Sequence, residues 1–402
     1  MQRKKRPMVI ILQSLGQALF MAFSMAWEIL WPLILGFALS GVVQAVVSHQ
    51  ALAKTLGGSG PKSLTLATLF GIASSSCSYA AVALARSIFQ KGASFTAAMV
   101  FELASTNLVI ELGIILVVLM GWQFTAAEFV GGVLMVIFIA LIFRLTLTPK
   151  LVQMAKAQAE KGVMGRMEGH AAMDMSVEGR SFFSKLFSGK GFTSVSQYFV
   201  MDWASVWVDI VVGLLIAGAI AAWVPDSFWR VFFFANNPTL AKIEGPLVGP
   251  LVAIVSFVCS VGNVPLAAVL WRGGISFGGV VSFIFADLII LPILDIYRKY
   301  YGWKVMSFIL VAFYITMAAA GYVVEFLFEA LGIIPQNRNI VAITEGIQWN
   351  YTTVLNILFL VLATVLGIRF LRKGGASMLR MMGTPEQDTQ HEHTATQHDM
   401  AH

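Results

Sequence analysis

The chain has 402 residues, of which 58% are hydrophobic and only 12% charged, with a mean hydropathy of +0.79. Soluble globular domains carry roughly 25% charged residues, so the composition excludes one and points to an all-α, polytopic membrane protein whose first partner is the lipid bilayer. The net charge of +6 is no sign of nucleic acid, because the basic residues flank apolar runs, and two cysteines in all give neither a disulfide framework nor a zinc-type spacing.

Taken in order, nine apolar runs are long enough for a bilayer core of roughly 30 Å: Gly16 to Val47, Ser63 to Ile88, Ser94 to Met120, Phe124 to Leu147, Ala204 to Val224, Leu247 to Leu270, Ser276 to Ile296, Val305 to Leu331 and Thr352 to Phe370. They predict eight or nine transmembrane helices. The basic start "MQRKKRP" has no small-residue cleavage site after it and reads as a cytoplasmic end. The polar segment 148–197, rich in Lys and Arg, reads as a cytoplasmic central loop between a first unit, 1–147, and a second, 198–332. An extra terminal helix with its flanks, 333–376, and a polar, disordered tail, 377–402, complete the chain. Nine crossings put the two ends on opposite sides, yet Arg369, Arg372, Lys373 and Arg380 mark the carboxyl flank as cytoplasmic too. One run therefore re-enters without crossing, or the last helix breaks the charge rule.

The two units are related. Aligning Cys77 with Cys259 sets an offset of 182 residues, and without a gap residues 77–104 and 259–286 share ten identities in 28 pairs. Membrane composition alone yields roughly two or three, so the alignment predicts two homologous repeats. Each cysteine lies in a run hostile to a regular helix. Ser75, Ser76 and Ser78 surround Cys77, and Gly262, Asn263 and Pro265 follow Cys259; serine competes for backbone hydrogen bonds and proline removes a donor. Each Cys segment is expected to be broken or re-entrant. Non-helical backbone at membrane depth survives only in protein or against water, so the pair marks a cavity. Tight packing of small residues is the plainer explanation for either segment alone.

Acids supply the second signal. Glu28 and Asp209 stand before the Cys segments, Glu102 and Glu111 after the first, Asp287 and Asp295 after the second. A carboxylate at the bilayer centre costs about 2.5 to 3.5 kcal/mol, and Arg86, Arg144 and Arg272 sit near helix ends. Unpaired acids favour a proton or a cation. Asp295, beside "IYRKYYGW", and Glu111 read as interfacial; Glu102 and Asp287 lie deeper and are the first choice for proton coupling, with Glu28 and Asp209 as candidates in support. Asn107 and Asn263 either bind solute or brace unwound backbone, and Glu244 with Pro246 stands near the mouth of the second segment.

The runs "SFVCSVGNVPLAAVLWRGGISFGGVVSFIFADLIILP", "SSSCSYAAVALARSIFQKGASFTAAMVFELASTN" and "YFVMDWASVWVDIVVGLLIAGAIAAWVP" resemble the bacterial and archaeal permease family of the organoarsenical efflux permeases and the YraQ-like permeases. The resemblance covers about residues 15 to 332 and implies an inner-membrane secondary permease with paired midmembrane Cys segments. Relatives with denser cysteine patterns have a proline near the first cysteine; this chain has serines around one thiol instead.

Thiols suit soft metalloids and carboxylates suit protons, so a proton-coupled permease for a small-molecule or metalloid solute, such as a thiophilic or sulfur-containing species, is expected, with a channel-like pore or assembly subunit as the alternative. Cys77 and Cys259 are either thiolate ligands or small buried apolar residues. No cofactor and no resident metal is implied: the Met164, Met167, Met173, Met175 and His170 group and the tail histidines suit a flexible loop and tail. Neither paired histidines nor HExxH occurs, so no enzyme is expected. The sequence leaves the oligomeric state open.

Overall fold

A computed structural model describes residues 5–46, 55–74, 78–159, 186, 188–234, 236–256, 260–338, 349 and 351–376. These residues are all-helical, with no strand among them. Six helices are long and apolar enough to cross a bilayer, or seven if the pair Phe277–Ile289 and Leu291–Tyr301, bent by 41°, is one span.

A 42-residue helix, α1 (Lys5–Val46), opens the first half. Helices α2 (Pro61–Ser74) and α3 (Ser78–Gln90) follow, then α4 (Phe95–Asn107) and α5 (Ile110–Leu119), split at Leu108 and Val109, then α6 (Trp122–Thr146). A short helix, α7 (Pro149–Ala159), leads away. The second half repeats this order: α8 (Gly189–Trp223), a short α9 (Asp226–Phe232), α10 (Pro238–Ser256), α11 (Ser260–Gly273), α12 (Phe277–Phe285) with a 3-10 turn (Ala286–Ile289), α13 (Leu291–Tyr301) and α14 (Trp303–Ala330). Helix α15 (Tyr351–Arg372) is last. Moving Phe95, Asn107 and Leu119 on by 182 residues lands on Phe277, Ile289 and Tyr301, each an end of the corresponding element.

Small residues set how α2, α3 and α4 pack. Gly71 has no Cβ, and one built there would stand 2.6 Å from the Phe101 carbonyl and 2.7 Å from Ala104, so α2 lies almost backbone to backbone on α4. At the start of both helices the Ser94 amide donates to Leu56 (2.9 Å) and its hydroxyl to Gly58 (2.8 Å). Helices α2 and α4 therefore run the same way, and α3 ends at that same Ser94 turn. The chain leaves this turn along α2 and returns to it along α3. The second half is built alike: a Cβ at Gly249 would meet the Gly279 carbonyl and the Ser282 hydroxyl at 2.5 Å, so α10 runs along α12, and α11 returns to the Ser276 turn.

The two turns lie at opposite ends of α6. Phe143 stacks on Phe95 at 5.9 Å, whereas Phe124 meets Trp271 at 5.2 Å and Phe277 at 4.8 Å. Along an α-helix that separation is about 28 Å, close to the thickness of a bilayer core. A cavity of about 330 Å³ opens at each turn, one bounded by Ser59, Ser94 and Lys156, the other by Lys242, Ser276 and Arg338.

Helices α1 and α8 are antiparallel, with Gly41 against Val195 and Gly218 against Ala18 and Ala22. The start of α1 and the start of α8 consequently lie at opposite ends of the bundle. Helix α15 runs beside α1 and opposite to α8: Thr352 donates to Glu28 (3.0 Å), Ser196 to the Leu366 carbonyl (2.6 Å), and Arg369 to the Gly189 carbonyl (2.9 Å). Its carboxyl end therefore lies with the start of α8. Within this seam the Asn356 amide donates to the Trp27 carbonyl (2.7 Å) and accepts from the Trp31 amide (2.9 Å), the two groups that an unbroken α1 would pair with each other, one turn before Pro32.

Gly262, Asn263 and Pro265, expected to disturb a regular helix, do not interrupt one. They lie inside α11, because a proline in the first turns of a helix removes few internal hydrogen bonds.

Candidate functional site

The inner ends of α3 and α11 meet. The hydroxyls of Ser78 and Ser260, each following its cysteine, are 3.4 Å apart, and Ser78 also donates to the Asp287 carboxylate at 2.6 Å. Ser260 is within hydrogen-bonding reach of the same carboxylate. Asp287 sits in the 3-10 turn where α12 stops, fully buried. On the other side of the meeting point Glu102 of α4, equally buried, accepts a hydrogen bond from the Tyr297 hydroxyl of α13. Each of these acids is held by a hydroxyl from the opposite half. Tyr297 stacks on Tyr301, which packs against Phe89 and Phe95, so an aromatic file runs from Glu102 to the Ser94 turn.

A third acid joins them that the repeat did not reveal. Glu128 of α6 is 1% exposed, neither of its oxygens has a hydrogen-bond partner among the described residues, and it lies within electrostatic reach of Asp287, as does Glu102. Its place early in the apolar run "WQFTAAEFVGGVLMV" gives it the look of an interfacial residue. Asp202 of α8 was also passed over. It accepts from Ser40 and Gln44 at 3.3 Å, and Ser40 in turn donates to the Ser74 carbonyl at the inner end of α2 (3.1 Å).

The remaining candidates separate. Asn107 and Asn263 are fully buried; Asn107 ends α4 at its split, with its carbonyl oxygen unpartnered, while Asn263 lies with Gly262 and Pro265 in the opening turns of α11. Glu28 accepts from Thr352 and belongs to the α15 seam, away from the central acids. Glu111, expected near the interface, is buried against α1, where the missing side chain of Gly36 leaves room for its carboxylate. Asp295 is half-exposed and paired with Arg298 (2.7 Å) and Lys299 (2.9 Å). Glu244 is partly buried with one oxygen unpartnered. Ser75, Ser76, Cys77 and Cys259 lie outside the described residues, as do the central methionines and all the histidines, and the side chain of Asp209 on α8 is likewise not described.

The run Gly274-Ile275-Ser276-Phe277-Gly278 has the GxSxG spacing of a hydrolase nucleophile. Here Ser276 caps α12, accepting from the Gly279 amide at 3.1 Å. Among the described residues no three His, Cys, Asp or Glu side chains converge as a metal site would require.

Buried acids gathered where interrupted helices meet, inside an all-helical protein with six or seven apolar spans, define a multi-pass membrane transporter. Residues 14–326 match the ArsP_1 family, described as "Predicted permease", and the chain belongs to this family. It is 59% identical over 349 residues, 87% of this chain and 86% of the relative, to "Putative permease Rv2963" of Mycobacterium tuberculosis strain H37Rv. No solved structure matches.

Proposed function

We propose that the protein is a proton-coupled secondary permease of the inner membrane, built from two homologous halves in inverted orientation. In this reading α2 with α3, and α10 with α11, are re-entrant hairpins entering from opposite faces, and seven helical spans cross. The basic residues Lys91, Arg144, Lys150, Lys156 and Lys299 cluster with the Ser94 turn and α7, which makes that end cytoplasmic under the positive-inside rule. The central segment and the end of α15 are then cytoplasmic, and the start of α1 lies outside.

One observation carries the reading: Glu102 and Asp287 are buried at the meeting point of the two hairpins, and each is bonded to a hydroxyl of the other half. A shift of one half against the other would exchange those hydroxyls for water or solute. Proton uptake and cavity opening would then be one event. The solute passes beside Ser78, Asn107, Gly262, Asn263 and Pro265, and the chain positions of Cys77 and Cys259, next to Ser78 and Ser260, suit a thiophilic solute such as a trivalent organoarsenical. Flux of that probe into proteoliposomes, with and without an imposed pH gradient, tests the reading. Saturable, gradient-stimulated flux is expected; non-saturating flux indifferent to the gradient would establish a pore instead.

A further inference from the structure

Glu128 has no part in the scheme above, yet its surroundings are built with care. The residues one turn on, Gly131 and Gly132, form a notch in α6. A Cβ at Gly131 would meet the Phe285 ring at 2.6 Å, and one at Gly132 would meet Leu108 at 2.5 Å. Phe285 ends α12 just before Asp287, and Leu108 is the residue at which α4 splits from α5. Both broken spans are thus seated on one turn of α6, and the next turn towards the Ser276 end presents a carboxyl group to the space between them.

That carboxyl is 1% exposed, and neither oxygen has a partner among the described residues. The helices packed on α6 are α4, α5, α12 and α14. Their titratable groups are engaged elsewhere: Glu102 with Tyr297, Glu111 against Gly36, Glu325 on the Gly278 amide, Glu329 with Lys242, and Tyr314 and Tyr322 on carbonyls of α10; Lys304 is exposed at the opposite end of α14. Asp287, beyond the end of α12, is what acts on Glu128. An acid buried without a bonding partner brings the fold nothing and costs desolvation. Holding a proton would remove most of that cost while the two spans are seated.

We infer that Glu128 is a third proton-carrying residue of the permease, exchanging its proton with Asp287 or with water when the broken spans leave the notch. The inference rests on the coupled-permease reading but can fail separately from it. Infrared titration of the full-length protein in lipid vesicles, following the carboxyl stretch from acid to alkaline pH, reads each acid without needing the solute. Glu128→Gln should lose one titrating band, different from the bands lost in Glu102→Gln and Asp287→Asn, and Glu128→Asp should keep the band at a displaced midpoint. A Glu128→Gln spectrum that titrates like the wild type overturns the inference while leaving the permease reading in place. Loss of the Glu128 band with the other two acids silent would keep the inference and remove Glu102 and Asp287 as carriers. If the glutamine variant does not fold, an undisplaced midpoint in Glu128→Asp is the overturning result.

Discussion

The halves of this permease agree in frame and differ in charge. In the first, α2 lies on α4 through Gly71; in the second, α10 lies on α12 through Gly245 and Gly249. The turns that close both pairs are capped by equivalent serines, Ser94 and Ser276. The acids do not follow. Moved on by 182 residues, Glu102 meets Ile284, Glu128 meets Leu310, and Asp287 itself answers to Ser105. Small residues that permit close backbone approach are held in duplicate, while the buried acids Glu102, Glu128 and Asp287 each occur once. The ends differ too: the Ser276 end is strapped by the Lys242–Glu329 ion pair and by Arg338, which donates to the Trp271 and Ile275 carbonyls, whereas the Ser94 end is closed by Arg86 and Gln90 on the Ala159 carbonyl.

The largest expected effect falls on the shared frame. Gly71→Val and Gly249→Val each push a branched side chain into a neighbouring backbone and should cost about 3 kcal/mol or more, read as a lowered unfolding temperature in detergent. If only one of them did so, the equivalence of the two packings would break. Next, Glu102→Gln and Asp287→Asn should each lower gradient-driven flux on the order of tenfold or more while leaving gradient-independent exchange. Asp287→Asn alone having an effect would make the second half the sole carrier. Removing the hydroxyls that cross between halves, Ser78→Ala and Tyr297→Phe, should cost about 1 to 3 kcal/mol each, measured by chemical unfolding. A pair of neutral results would uncouple the acids from the opposite half. The smallest effect belongs to Lys242→Ala, at about 1 kcal/mol or less, since the Lys242–Glu329 pair is partly exposed to solvent.

Much of this was legible in the chain. Composition and nine apolar runs give the class, and the cysteine offset relates helix ends of one half to those of the other at Phe95, Asn107 and Leu119. Glu102 and Asp287 were visible because each follows a repeated segment. Hydropathy alone does not give the direction of the runs 63–88 and 247–270, because that direction is set by backbone contacts of Gly71 with α4 and of Gly249 with α12. Glu128 stayed hidden for a different reason. It has no counterpart in the repeat, and its depth comes from α14 and the two broken spans that cover it. Glu111, read as interfacial, and Asp202, which no pattern marks, escape the sequence likewise, since burial of a single acid depends on neighbours distant in sequence, such as Gly36 and Ser40.

The side-chain amide of Asn356 bonds to both the Trp27 carbonyl and the Trp31 amide of α1. During synthesis the first helix enters the membrane long before residue 356 leaves the ribosome, so for most of the chain's production the Trp27 carbonyl and the Trp31 amide must pair with each other or with water. Arrival of α15 brings a donor and an acceptor to that turn of α1, just before Pro32. Assembly of this transporter is completed only when its final helix reaches back to its beginning.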